Sequence, residues 1–317
     1  MWPAAPAEPR YAYIGQLTGE ANFPARRTEE PTGLGRAFAW LIGLGEEFRP
    51  PNVLQRPQGV AVDKDGRIYV SDVSRHAVLV FDIPAARLRV WRRATPGKTF
   101  VSPIGIAMGA DGILLVADAE LGVVARLDTD GRPLAPLGRG LFERPTGVAR
   151  DAKRGRLFVA DTSADAVKVL DDEGLLLDTI GHAGDKPGSL NAPTYLAWSG
   201  TELYVTDTLN ARIQVYDGEG NYLRQVGSRG LYVGNLTRPK GVAVDAEGNL
   251  YIAESYYDHL LVFNDRGQLL LPIGGTGNAP GQFYLPAGLC VDQRDRVYIA
   301  DMYNGRVQML QFLGGER

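Results

Sequence analysis

Apolar residues in this chain fall in short blocks rather than long stripes. Gly59-Val60-Ala61-Val62 and Ile68-Tyr69-Val70 are apolar at consecutive positions, and Asp65-Gly66 lies between them. A short apolar run bounded by turn residues reads as a strand buried on both faces, and Asp-Gly is hairpin chemistry. After Asp72 a short loop leads to a third strand, clearest elsewhere as Arg212-Ile213-Gln214-Val215-Tyr216. A glycine-containing turn then leads to a fourth, as in Tyr222-Leu223-Arg224-Gln225-Val226-Gly227. The predicted unit is four short antiparallel strands.

That unit recurs six times. Pro57, Pro103, Pro145, Pro193, Pro239 and Pro286 open it, at intervals of 46, 42, 48, 46 and 47 residues. Each proline is followed 14 to 16 residues later by an acid: Asp72, Asp118, Asp161, Asp207, Glu254 and Asp301. A period in the forties with several strands per unit is the mark of a β-propeller. The predicted fold class is therefore all-β, one six-bladed propeller over residues 57–312. Blades packed between two neighbours need small residues near the axis, and Ala61, Ala107, Ala149, Ala197 and Ala243 supply them. Cys290 takes that place in blade six and reads as a core alanine replaced.

Blade six reaches its third strand, Arg306-Val307-Gln308-Met309-Leu310, with only a short tail at residues 313–317 after residue 312. Arg10-Tyr11-Ala12-Tyr13-Ile14-Gly15 resembles the fourth strands elsewhere. Residues 10–18 are thus predicted to complete blade six and close the ring, which hides sheet edges. Residues 1–9 read as a Pro/Ala-rich linker and residues 19–56 as an insertion. Within it, Phe38, Leu41 and Ile42 form one apolar face of a short helix over residues 35–42. Such a helix either folds onto the propeller rim or docks a partner.

The repeats resemble NHL repeats, whose pattern is Pro-x-Gly-Val-Ala-Val-Asp, then Gly-Asn-Ile-Tyr-Val-Ala-Asp, then Asn-x-Arg-Ile-Gln-Val-Phe. Asp207-Thr208-Leu209-Asn210-Ala211-Arg212 and Asp301-Met302-Tyr303-Asn304-Gly305-Arg306 carry the third element best, whereas blade two has Ala119-Glu120-Leu121-Gly122 there. Trp2-Pro3, Glu8-Pro9-Arg10 and the insertion are similar to bacterial six-bladed NHL propellers that are exported, some as lipoproteins and some encoded near multihaem cytochromes. The resemblance implies an envelope location, a lipid anchor upstream, and a multihaem cytochrome or other envelope component as partner. The alternative location is cytoplasmic. Met1 leads directly into Trp2-Pro3-Ala4-Ala5-Pro6, so export would need a signal removed upstream.

Composition narrows the function classes. Apolar residues make up 44% and charged residues 22%, as in soluble globular proteins. Net charge is -3, so no basic field recruits nucleic acid or an anionic membrane. No apolar stretch reaches the roughly 18–20 residues of a membrane span. A single cysteine excludes an internal disulfide and a cysteine-based metal cluster.

Catalytic chemistry is hard to assemble from these residues. Amidating lyases, which resemble this fold, hold zinc through histidines near the axis, but His76, His182 and His259 are scattered over blades one, three to four and five. Lactonase-like propellers use carboxylates and amides there. The corresponding innermost positions here are Gln58, Ile104, Thr146, Thr194, Lys240 and Ala287, with no carboxylate among them. The six repeat acids suit a structural role, accepting hydrogen bonds from the loops that follow them, with Asn210, Asn304 and the next arginines in the same network. Asp63-Lys64-Asp65-Gly66 and Asp128-Thr129-Asp130-Gly131 open like calcium loops but lack the distal glutamate, and they read as turns. Neither a catalytic residue nor a cofactor is predicted.

Two patches suit a partner. Tyr256, Tyr257 and Tyr303, with Tyr232 and Tyr284 of the inter-blade loops, are expected on one face, either docking a protein or plugging gaps between blades. Arg87, Arg89, Trp91, Arg92 and Arg93, followed by Lys98, form a basic segment with no acid in it. It either protects an edge strand or steers an acidic partner. The sequence thus favours a non-catalytic interaction scaffold, with a small-molecule lyase or hydrolase at the axial funnel as the alternative.

Overall fold

The computed structural model describes residues 1–4, 6–23 and 51–314, and the expected helix at residues 35–42 lies outside them. Six antiparallel sheets surround one axis, and in blades one to five the strands run outward in sequence order. Blade one, for instance, comprises Pro57–Val62, Ile68–Asp72, Ala77–Asp82 and Arg87–Trp91. The first three of these are buried nearly throughout, because both faces meet neighbouring blades. Alternation appears only at the rim, as in Tyr222–Val226 of blade four.

Glycine permits the close approach at the axis. A Cβ on Gly105 would meet the Thr146 carbonyl at 2.1 Å, and one on Gly288 would meet the Gln58 carbonyl at 2.3 Å. Five innermost strands therefore carry glycine two residues after their proline. Blade four carries Tyr195 instead.

Tyr11–Leu17 closes the ring. It pairs antiparallel with Arg306–Phe312, so the sheet order is N-terminal strand, third, second and first strands of blade six. Tyr11 and Leu17 are buried, and the Tyr11 hydroxyl lies 3.1 Å from that of Tyr251 in blade five. Burial pushes the Tyr11 hydroxyl up to about 12. The preceding segment is anchored rather than loose: Trp2 exchanges backbone hydrogen bonds with Tyr11, and its ring lies against Gly281. The two ends of the insertion meet where Gly19 bridges Val53.

Blade two departs from the four-strand pattern. Its sheet holds only Pro103–Met108, Leu114–Asp118 and Val123–Leu127. Single bridges, Leu127 to Pro133 and Val124 to Leu137, stand where a fourth strand would be. Pro133 and Pro136 cannot donate to a ladder, which explains the break.

Candidate functional site

The repeat acids are almost fully buried at the ends of the second strands and hold the loops beside them. Asp72 accepts the amides of Gln55 and Arg56 from the loop arriving at its blade, and those of Ser74 and Arg75 from the loop leaving it. Asp118 does the same with Val101, Ser102, Glu120 and Leu121. Asp161 accepts amides of Glu143 and Arg144. Glu254 accepts those of Thr237, Arg238 and Tyr256, and burial still raises its carboxyl above the ordinary range.

Blades four and six add a side-chain lock. Asp207 takes Arg212 Nε at 2.8 Å and Asn210 Nδ2 at 2.8 Å. Asp301 takes Arg306 Nε at 2.7 Å and Asn304 Nδ2 at 2.9 Å. Each arginine also donates to carbonyls of the inter-blade loop, those of Lys186 and Ser189 in one case and Asn278 and Gln282 in the other.

The hairpin acids behave likewise. Asp63 Oδ1 accepts the amides of Asp65 and Arg67 while its Oδ2 takes the Tyr69 hydroxyl at 2.9 Å. Asp128 accepts the amides of Asp130 and Arg132. His76 bonds the Val101 carbonyl, His182 approaches Ser189 Oγ, and His259 stands opposite Glu254 in the strand register of blade five. Among the described residues no three histidine, cysteine or acidic side chains come together as a metal set. Cys290 lies partly buried against the core of blades six and one, and burial pushes its thiol up.

The axis itself is blocked, and Tyr195 does it. Tyr195 belongs to blade four and its hydroxyl donates to the Gln58 carbonyl of blade one, the blade directly across the ring, at 3.2 Å. A second contact reaches Gln58 Oε1 at 3.4 Å. The side chain is buried, and the channel left around it, lined by Gly59, Gly105, Val148, Val242 and Gly288, holds about 30 Å³. That is water-sized space. Sequence reasoning missed Tyr195, although its signal was present: Pro193-Thr194-Tyr195-Leu196 breaks a glycine repeated in the other five blades.

The tyrosines form two groups. Tyr256 and Tyr257 meet edge-to-face at 4.9 Å, and Tyr257 shares a shallow hollow with Leu231, Tyr232 and Val233. Tyr284 and Tyr303 lie 5.4 Å apart, and the Arg56 guanidinium sits 5.5 Å from the Tyr303 ring centre. Tyr232, Tyr256, Tyr284 and Tyr303 are exposed, as are Leu231, Val233 and Leu209 nearby in the chain's loops. Tyr257 is half-buried.

The basic segment changes more. Trp91 is buried, 5.6 Å from the Tyr69 ring and against Gly131, so it belongs to the core and not to a docking surface. Arg87 and Arg89 both reach Asp82 at 3.3 Å, and Arg89 also approaches Asp130 of blade two. Arg92 donates to the Arg75 carbonyl, while Arg93 and Lys98 are exposed on a small hairpin. The segment contains no acid, but the fold brings two acids to it.

These features define a six-bladed β-propeller with a sealed axis. The NHL-repeat model matches residues 54–81 and 283–309, in blades one and six. Human NHL-repeat-containing protein 4 is 32% identical over 118 residues, which are 37% of this chain and 91% of that protein. The chain belongs to the NHL-repeat family. The fold is shared with virginiamycin B lyase from Staphylococcus aureus at 14% identity and TM-score 0.60, over 82% of this chain and 96% of that one. A gluconolactonase from Xanthomonas campestris is similar at 20% identity and TM-score 0.62, over 81% and 86%. A chain of the nidogen–laminin complex is similar at 18% identity and TM-score 0.60, over 79% and 89%. At these identities the likeness is one of fold. Among the described residues no helix is long and apolar enough to cross a membrane.

Proposed function

We propose that this protein is a non-catalytic interaction module that binds another protein through the face carrying its inter-blade loops. The observation that carries the reading is Tyr195, whose side chain spans the axis where a propeller enzyme would keep a substrate-sized hollow. On the face above, Leu231, Tyr232, Val233 and Tyr256 leave apolar area in water beside polar hydroxyls, the composition of a protein interface. A rigid ring presents such loops with little ordering cost on binding. The partner class is an envelope or extracellular protein, a multihaem cytochrome among the candidates, with the protein itself exported from a bacterium.

The alternative reading, a lyase or hydrolase at the axial funnel, draws on the fold likeness to virginiamycin B lyase and the gluconolactonase. Capture of partners from native envelope by the wild type and by a Tyr256→Ala/Tyr257→Ala variant separates the two. Loss of a defined partner in the variant supports docking at this face. Unchanged capture removes the tyrosines from the reading, and stoichiometric zinc or calcium in the purified protein would favour the enzyme.

A further inference from the structure

Lys240 is the one charged residue among the six equivalent positions that follow the opening prolines, the others being Gln58, Ile104, Thr146, Thr194 and Ala287. It is half-buried, second in the innermost strand of blade five and one residue nearer the inter-blade loop than Gly241, the position equivalent to Tyr195. Among the described residues no carboxylate pairs with it. The charges that act on it are those of Arg238 and Arg56, and both are cationic. Burial is the larger cause that brings its ammonium down to about 8, and the two arginines add to it.

The surroundings are consistent in sign. Arg56 and Arg238 occupy matching places, each one residue before the opening proline, in blades one and five. Blade six lies between them and contributes Tyr303, which the Arg56 guanidinium overlies. The third arginine at such a place, Arg144 in blade three, is already paired with Glu120 at 2.8 Å. The acids of the sector are spent. Glu254 is taken by three amides, Asp72 by four, and Asp301 by the Tyr284 amide together with Asn304, Arg306 and Gln308. An ammonium held from water without a counter-ion is costly, and a ligand that brings the counter-ion recovers that cost.

We propose that the channel mouth, from blade five through blade six to blade one, is a carboxylate-binding site with Lys240 at its base and Arg56 and Arg238 at its rim. Tyr195 and Gln58 form the floor, so the ligand enters from the loop face and stops there. The carboxylate comes either from a free small diacid or from the C-terminus of a docked chain. The site uses neither Tyr256 nor Tyr257, and it stands if those tyrosines prove irrelevant.

The test follows Lys240 by NMR of the lysine ε-carbon in the full chain, during titration with glutarate and with a short peptide in free-acid and amidated forms. Carboxylate binding raises the Lys240 pKa from about 8 by about one unit or more. Lys240→Met weakens binding roughly tenfold or more, Arg56→Gln and Arg238→Gln each weaken it several-fold, and Lys240→Arg retains it. Circular dichroism of each variant controls for folding. Binding of the free-acid peptide but not the amide identifies a chain terminus as the source; binding of glutarate alone identifies a small diacid. An unmoved Lys240 with every probe, equal binding by a folded Lys240→Met, or tighter binding of inorganic phosphate than of any carboxylate would overturn the proposal.

Discussion

Blade six and blade two perform the same task with different means. In blade six the buried Asp301 holds the Tyr284 amide of the arriving loop and also Arg306, Asn304 and Gln308. Arg306 then reaches Gln16 of the closing strand at 2.9 Å, as Arg212 reaches Gln225 in blade four. In blade two Asp118 accepts backbone amides alone, no arginine follows it, and the fourth strand is missing. Among the described residues the buried side-chain nitrogen without a partner is also there, at Arg126 Nε. The acid and its amide clamp are thus the minimum that holds a blade to its incoming loop. The arginine lock is added in blades four and six, where it ties the acid both to the inter-blade loop and to the outermost strand of the sheet.

The comparison sharpens most by removing the closing strand. Deleting residues 1–18 exposes the third strand of blade six and the partners of Tyr11 and Leu17, and lowers the melting temperature by roughly 10 °C or more. An unchanged thermal transition would refute closure as a stabilising device. Next comes Arg306→Met, which leaves the buried Asp301 carboxylate without its cation and costs about 3–5 kcal/mol in denaturant titration. Arg126→Met in blade two removes an unpartnered Nε and one long hydrogen bond, from Nη1 to the Asp172 carbonyl at 3.4 Å, and changes stability by about 1 kcal/mol or less. Equal costs for the two arginines would break the contrast between the blades.

Tyr195→Phe deletes one hydrogen bond across the ring and costs about 1 kcal/mol by the same measurement. The effect of Lys240→Met depends on pH. Lys240 has a lowered pKa in the folded chain, so the unfolded chain binds more protons between about 8 and the ordinary lysine value. Its penalty on stability is fully present below about 8 and fades as pH rises. Lys240→Met therefore raises the melting temperature at neutral pH, and the gain shrinks in alkaline buffer.

Much of this was legible because the repeat is local. The opening prolines and the acids after them mark each blade within about 16 residues, and the same short segment contains the hairpin that joins its first two strands. Asp63, which binds the amides of Asp65 and Arg67, is a turn acid by proximity alone. The tyrosine pairs were legible only as residues at loop positions, since nothing local says that Tyr284 meets Tyr303. Trp91 reads as exposed in an arginine-rich segment, yet a hairpin turn of blade two supplies Gly131 as the surface it packs on.

The sequence alone determined six blades, the closing strand and the structural place of the acids, because hydrogen-bonded turns and strand periodicity act over a few residues. Tertiary structure alone decided that Tyr195 crosses the axis to Gln58, that Asp82 and Asp130 meet the basic rim, and that the charges acting on Lys240 among the described residues are those of Arg56 and Arg238. Tyr195 and Gln58 are 137 residues apart, and only closing the ring sets the distance across it.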